Sequence, residues 1–153
     1  MTKSDVLDID ATNPRATIVA DLAAAEGVAS EAFDCFILTQ TLQYVYDVRA
    51  AVKHVHRMLK PGGVVLCTTP AVSRVGRRSL DSEYWRFTSA CCRRLFEDVF
   101  ARGDVDVRAY GNVLTAIAFL TGMAYEELSR PELDAEDRYF PVIVAVRATK
   151  AAS

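Results

Sequence analysis

Glycine is scarce in this chain, and its few glycines do not form a nucleotide-binding loop. Seven glycines occur among 153 residues, and only Gly27 precedes position 34. The G-x-G-x-x-G turn, which binds a dinucleotide pyrophosphate at a helix N-terminus, is missing. A dinucleotide-dependent enzyme, such as one acting on nucleotide sugars, is therefore a weak hypothesis for this chain.

Charge of one sign and long apolar runs are also lacking. The chain has 18 Lys and Arg against 20 Asp and Glu, a net charge of −2. Nucleic-acid-binding proteins usually have a strong basic bias, so we expect no nucleic-acid partner. No uninterrupted apolar run reaches about 18 residues, so no membrane span is expected. The polar, acidic N-terminus does not resemble a signal peptide, and a cytoplasmic location is expected.

The cysteines do not have the spacing of a metal site. There are four, and no two of them form a C-x-x-C pair, so no metal is expected. Cys35 and Cys67 lie in apolar runs, where a thiol behaves as a small hydrophobic group. Cys91 and Cys92 are adjacent on a predicted helix and would point in different directions. All four are expected to be reduced structural thiols.

What the sequence does contain is an alternation of strands and helices within one domain, residues 1–153. Short apolar runs predict strands at 16–20, 34–39, 64–69, 105–110 and 142–148. This alternation predicts a Rossmann-like α/β fold, a three-layer sandwich with a mostly parallel sheet and helices on both faces. Ligands bind at the carboxyl ends of such strands, which selects Asp21-Leu22, Thr39-Gln40-Thr41 and Thr69-Pro70.

Apolar periodicity predicts the helices. One spans 47–59, begins at Asp47 and ends before Pro61-Gly62-Gly63. A second begins after Thr88. A third, capped by Asn112, is predicted over 113–127 and is apolar on nearly every side before its last turn, so we expect it to be buried or covered by a partner.

Three segments have a recognisable pattern in this order. Ala20-Asp21-Leu22 is an acid-x-L step, Phe33-Asp34 precedes a strand that ends in Thr39-Gln40-Thr41, and Leu59-Lys60-Pro61-Gly62-Gly63 stops a helix before the next strand. Together they resemble class I S-adenosylmethionine-dependent methyltransferases, in particular the methyltransferase type 11 group. Glu83-Tyr84-Trp85-Arg86-Phe87-Thr88 and Tyr110-Gly111-Asn112 resemble members associated with sugar and polysaccharide biosynthesis.

The resemblance implies a cofactor, S-adenosylmethionine, and residues for it. The residues that it assigns to cofactor binding are Asp5, Asp8, Asp21, Leu22, Thr39 and Gln40. Asp5, with Asp8 second, would bind the ribose hydroxyls, and Asp21 would lie near the adenine. A loop with aromatic side chains near the strand ends, Tyr84, Trp85 and Arg86, is expected to bind the acceptor.

The departure from the family is as informative as the resemblance. The family begins with a strand, an acid-x-G-x-G-x-G turn and a helix, and here the first strand and helix are expected to be missing, with a stub of the second strand at residues 2–4. Gly62-Gly63 cannot replace the turn, because a helix C-terminus presents carbonyl groups. The missing strand would leave apolar, unpaired edges, so a homo-oligomer is expected.

The sequence therefore predicts methyl transfer to a small-molecule or sugar-containing acceptor, impaired by the missing turn. No catalytic residue is singled out, because the sulfonium cofactor needs mainly an aligned acceptor and exclusion of water. The alternative is a non-catalytic methyltransferase-like remnant or partner module that keeps the fold without binding the cofactor.

Overall fold

The computed structural model describes residues 3–77 and 79–152, and an α/β fold is formed within them. The strands are β1 (Leu7–Asp8), β2 (Ile18–Val19), β3 (Phe33–Thr39), β4 (Leu59–Pro70), β5 (Val105–Tyr110) and β6 (Ile143–Thr149). The helices are α1 (Val48–Met58), α2 (Ser89–Glu97), α3 (Val113–Thr121) and α4 (Arg130–Asp134). The α/β, Rossmann-like class that the sequence predicts is confirmed.

The main sheet has four strands in the order β3-β4-β6-β5. β3 and β4 are parallel, and β6 lies antiparallel between β4 and β5, so three of the four strands point the same way. β3 forms one edge and is paired only with β4. At the start of this pair, residues 60–63 bulge out, because Phe33 aligns with Leu59 but Cys35 aligns with Val64.

A separate, two-stranded sheet is formed by β1 and β2, which are parallel. It is not hydrogen-bonded to β3, so the two halves of the sheet have not closed on each other. The stub predicted at residues 2–4 is wrong in position: the strand is Leu7–Asp8, Lys3 and Ser4 are outside it, and Thr2 lies outside the described residues.

α1 forms as its sequence predicts. The Asp47 carboxylate accepts a hydrogen bond from the Ala50 amide at 3.0 Å and begins the helix, which ends at Met58. Pro61 disfavours helical backbone at Lys60, so the chain turns directly into β4. The buried side chains of α1 lie along one stripe: Ala51, Val52, Val55 and Met58.

The core lies on one face of the main sheet. Alternate side chains of the strands point into it, and α1 and α2 cover it with a single cluster that includes Val52, Val65, Phe96 and Val146. On the opposite face Ile37 remains 58% exposed, and Leu66 is also exposed. Among the described residues, α1 and α2 therefore cover one face of the sheet, and the other face is open around Ile37 and Leu66.

α3 is shorter than the sequence predicts. It begins at Asn112 as expected, with the Asn112 carboxamide accepting a hydrogen bond from the Thr115 amide at 2.9 Å, but it ends at Thr121 rather than at 127. Gly122 ends it because φ is +78°, a left-handed conformation that glycine adopts without strain. Only the small side chains of Ala116 and Ala118 are buried, whereas Ile117, Phe119 and Leu120 are exposed, so the described residues do not bury this helix as predicted.

None of the helices in residues 3–77 and 79–152 has the length and apolar character needed to cross a membrane.

Candidate functional site

Three aspartates, Asp5, Asp8 and Asp10, lie in β1 or within two residues of it. Asp8 ends the strand, and its carboxylate accepts hydrogen bonds from the Asp10 amide at 2.9 Å and from the Asn13 carboxamide at 2.6 Å. Asp5 precedes the strand and accepts a hydrogen bond from the Thr17 hydroxyl at 3.1 Å. Asp8, rather than Asp5, is therefore the predicted ribose acid that stands at a strand end.

Asp10 is a site candidate that the sequence prediction missed. Its Oδ1 accepts hydrogen bonds from the Thr12 amide at 2.8 Å and the Thr12 hydroxyl at 2.7 Å. No residue in the described part of the chain donates to Oδ2, and Asp10 is exposed. Asp8 differs, because both of its oxygens are occupied. The signal for Asp10 was its position two residues after Asp8, just past the strand.

Both carboxylates are held in the ionised form. The pKa of Asp8 lies below its usual range, first because the Asp10 amide donates to it and next because Asn13 does. The pKa of Asp10 is lowered as well, mainly by the Thr12 hydroxyl and then by the Thr12 amide. This turn therefore presents negative charge and free acceptor lone pairs, which suit the hydroxyl donors of a ribose.

Asp21 and Leu22 follow β2. The Asp21 carboxylate accepts a hydrogen bond from the Ala23 amide at 2.8 Å and caps a single 3₁₀ turn, Leu22–Ala24. Asp21 is exposed, whereas the side chain of Leu22 is buried in the core. A ligand at this point would meet the second oxygen of Asp21 and the backbone of Leu22.

Thr39 ends β3, and Gln40 follows it. Gln40 has φ of +49°, an unusual conformation for a residue other than glycine, and its amide donates to the Thr68 carbonyl at 2.8 Å. The Gln43 side chain lies beneath this turn and donates to the Gln40 carbonyl at 3.0 Å. Gln43 is only 3% exposed, and its Oε1 has no hydrogen-bond partner among the described residues. Sequence reasoning missed this buried carboxamide, which supports the strand end from below.

The predicted acceptor loop is held in place from within. Arg86 forms an ion pair with Glu83 at 2.9 Å, and the Glu83 side chain is almost fully buried. The Arg86 guanidinium also donates to the Trp85 carbonyl at 2.9 Å. The Tyr84 amide donates to the Gln43 carbonyl at 2.7 Å and joins the loop to the end of β3. Arg86 therefore positions this loop and does not present a free charge.

Three exposed aromatic rings stand together beside this strand end. Tyr46, which the sequence prediction missed, lies 5.3 Å from Tyr84 and 6.0 Å from Trp85 between ring centroids. The Trp85 indole N–H donates to the Val45 carbonyl at 3.0 Å and fixes its ring. Tyr46 and Tyr84 are 38 positions apart, so no local pattern could reveal this contact. We call Tyr46, Tyr84 and Trp85 the aromatic shelf.

A shallow cavity of about 320 Å³ lies on the uncovered face of the main sheet. Its lining comes from all four strands and includes Thr39, Leu66, Arg108 and Arg147. Of the predicted site residues it contains only Thr39. No group of three or more His, Cys, Asp and Glu that could hold a metal ion is found in the part of the chain that the structure describes.

Comparison with known families gives a match over most of the chain. The sequence profile of the family described as "Methyltransferase domain" matches residues 4–102. That range begins before β1 and ends after α2, so it includes every predicted cofactor and acceptor residue. No curated protein matches the chain in sequence.

Solved structures share the fold at low sequence identity. The chain is similar to a possible histamine N-methyltransferase from Thermotoga maritima, with 17% identity, TM-score 0.57, and coverage of 89% of this chain and 65% of that one. A phosphoethanolamine N-methyltransferase 2 from Haemonchus contortus, in complex with S-adenosyl-L-methionine, has 16% identity, TM-score 0.58, and coverage of 90% and 37%. An S-adenosylmethionine-dependent methyltransferase from Mesorhizobium loti has 19% identity, TM-score 0.58, and coverage of 94% and 78%.

The chain thus spans less than two thirds of the length of the Thermotoga and Haemonchus proteins. At these identities the likeness establishes a shared fold.

Proposed function

Since the chain belongs to the methyltransferase domain family, we propose that it binds S-adenosylmethionine and serves methyl transfer to a small-molecule acceptor, including sugar-containing ones, in the cytoplasm. The observation that carries this proposal is the family match over residues 4–102, which includes the ends of β1, β2, β3 and β4. Ligands of open α/β sheets bind at such strand ends.

The described residues fit the adenosine part of the cofactor. Asp10, with its free Oδ2, and Asp8 would face the ribose hydroxyls, and Asp21 and the backbone of Leu22 would face the adenine. Thr39 and Gln40 would border the same crevice from the main sheet. The fit is partial, because the chain has no Gly-rich turn whose backbone N–H groups could hold the carboxylate of the methionine part.

The acceptor would lie against the aromatic shelf. Tyr46 is 73% exposed, and the Trp85 ring is fixed by its hydrogen bond to the backbone. Arg86 is neutralised by Glu83, so the shelf offers ring faces, hydroxyl groups and the Gln40 carboxamide rather than a free charge. Such a surface suits an uncharged ring that carries hydroxyl groups, and this supports a sugar-containing acceptor over an anionic one.

Methyl transfer from a sulfonium requires few roles of the protein side chains. The cofactor, when bound, supplies an activated methyl group on a sulfonium. The residues of this chain would orient the acceptor beside it and exclude water, which is the main requirement of such a transfer. The alternative role is a non-catalytic partner module, which would keep the same fold without binding the cofactor.

The proposal is tested by the affinity for adenosine, followed by NMR chemical shifts up to millimolar concentrations. Asp21→Ala is expected to weaken binding about tenfold, because a hydrogen bond to a charged group is lost. Asp21→Ser keeps an oxygen that can cap Ala23 and separates loss of the carboxylate from loss of the turn. His54→Ala, on α1 beside Glu26, is expected to leave the affinity unchanged. Equal effects of Asp21→Ala and His54→Ala would mean that the pocket lies elsewhere.

A further inference from the structure

A second groove lies between α1 and α2, apart from every residue assigned above to the cofactor or the acceptor. Its volume is about 320 Å³, and its lining is Arg49, Lys53, Arg94, Leu95, Asp98 and Val99. Arg49 and Lys53 are one turn apart on the exposed side of α1, whereas the core-facing stripe of that helix begins at Ala51. The groove therefore opens to solvent on the outside of the helical layer.

The groove has an excess of positive charge. Three cationic side chains face one carboxylate, which leaves a formal charge of +2 in a protein whose net charge is −2. Asp98 is shared, since Arg49 Nη1 lies 3.2 Å from its Oδ2 and Arg94 Nε lies 3.1 Å from its Oδ1. A guanidinium has five N–H donors, so both arginines keep most of theirs for another acceptor.

Lys53 completes this arrangement. No ion pair or hydrogen bond joins its ammonium group to another described residue, and it stands one helical turn from Arg49. Asp98 pairs with both guanidinium groups and so competes with any other anion that enters the groove. Leu95 and Val99 supply an apolar floor between the charged side chains.

We propose that this groove binds the phosphate group of a small-molecule phosphomonoester. Such a group has a charge of about −1.5 to −2 near neutral pH, which balances the excess charge of the groove. Paired arginine forks match the geometry of phosphate oxygens, and a lysine adds a point charge. The volume lies at the lower end of the range for small-ligand sites, so the groove fits one phosphate and a short apolar portion over Leu95 and Val99.

Phenyl phosphate is the probe, titrated at constant ionic strength and followed by amide NMR shifts, with phenol as the uncharged control. Saturable shifts are expected at groove residues with phenyl phosphate and none with phenol.

Lys53→Gln is expected to weaken binding roughly tenfold, whereas Asp98→Asn is expected to strengthen it several-fold, because a competing carboxylate is removed. Arg130→Gln, at an exposed ion pair with Asp134 on α4, is the matched control and should change nothing.

Changes of opposite sign in the affinity for phenyl phosphate, weaker for Lys53→Gln and stronger for Asp98→Asn, cannot arise from a general loss of folding. The proposal is overturned if phenyl phosphate causes no saturable shift at millimolar concentration, or if Arg130→Gln weakens binding as much as Lys53→Gln. It is also overturned if Asp98→Asn fails to tighten binding. Vesicles that contain phosphatidic acid test whether the bound phosphate belongs to a lipid headgroup. Binding of the protein to these vesicles without binding of phenyl phosphate would contradict a soluble ligand.

Discussion

Gly63→Ala is expected to lower the free energy of unfolding by about 3 kcal/mol, whereas Gly62→Ala is expected to cost about 1 kcal/mol. A Cβ atom at position 63 would lie 2.8 Å from the Lys60 carbonyl oxygen and 3.2 Å from the Phe33 carbonyl oxygen. Both are backbone atoms at the start of the β3–β4 pair, so the strands themselves must move. At position 62 nothing lies within 4 Å, and only the left-handed backbone, with φ of +76°, opposes a side chain.

Thermal unfolding at one protein concentration measures this difference. A loss of about 3 kcal/mol corresponds to a fall in Tm of roughly 6–12 °C for a chain of this size. Gly27→Ala is the matched control, because it has open space and no left-handed backbone, and it is expected to be neutral or slightly stabilising. If Gly63→Ala melts at or above the temperature of Gly62→Ala, the close packing assigned to this turn is wrong.

The chain is expected to form a homodimer or larger assembly. β3 is hydrogen-bonded on one side only, β1 and β2 form a separate sheet, and Ile37 lies exposed on the uncovered face. Unpaired edges next to apolar surface tend to associate. Light scattering after size exclusion should therefore give at least twice the monomer mass of 16.9 kDa.

A lysine substitution on β3 tests whether the chains associate through this strand. Ile37→Lys is expected to shift the assembly toward monomer, whereas Leu80→Lys, at a loop residue that is 71% exposed, should leave the mass unchanged. Phe119→Lys on α3 examines the other exposed apolar surface. A wild-type monomer that melts cooperatively would contradict the open-edge argument, and dissociation by Phe119→Lys alone would move the interface to α3.

Much of the fold could be predicted because its signals are local. Asp47 and Thr88 cap α1 and α2 as expected, and β3, β5 and β6 lie within one residue of their predicted positions. β4 begins at Leu59, five residues before its predicted start at 64. The resemblance to S-adenosylmethionine-dependent methyltransferases is confirmed at the level of the family. Local signals failed for α3, where the apolar pattern continued past Gly122 although the backbone there turns left-handed.

The site was harder to predict, because its contacts join distant parts of the chain. Tyr46 meets Tyr84 and Trp85 only after the β3 and β4 ends are brought together. The choice among Asp5, Asp8 and Asp10 depends on where β1 ends, and a two-residue strand leaves almost no periodic signal. Arg86 looked like a binding residue in the sequence, yet a buried partner, Glu83, occupies its guanidinium.

We propose that this chain carries the adenosine part of an S-adenosylmethionine site on a methyltransferase fold, without a Gly-rich turn to hold the methionine part. The direct measurement is a calorimetric titration of the 153-residue chain with S-adenosylhomocysteine and, separately, with adenosine. Both are expected to bind weakly, with dissociation constants within about threefold of each other, because the methionine part gains no backbone contacts. A low-micromolar dissociation constant for S-adenosylhomocysteine, about −8 kcal/mol, with adenosine at least tenfold weaker, would contradict the claim.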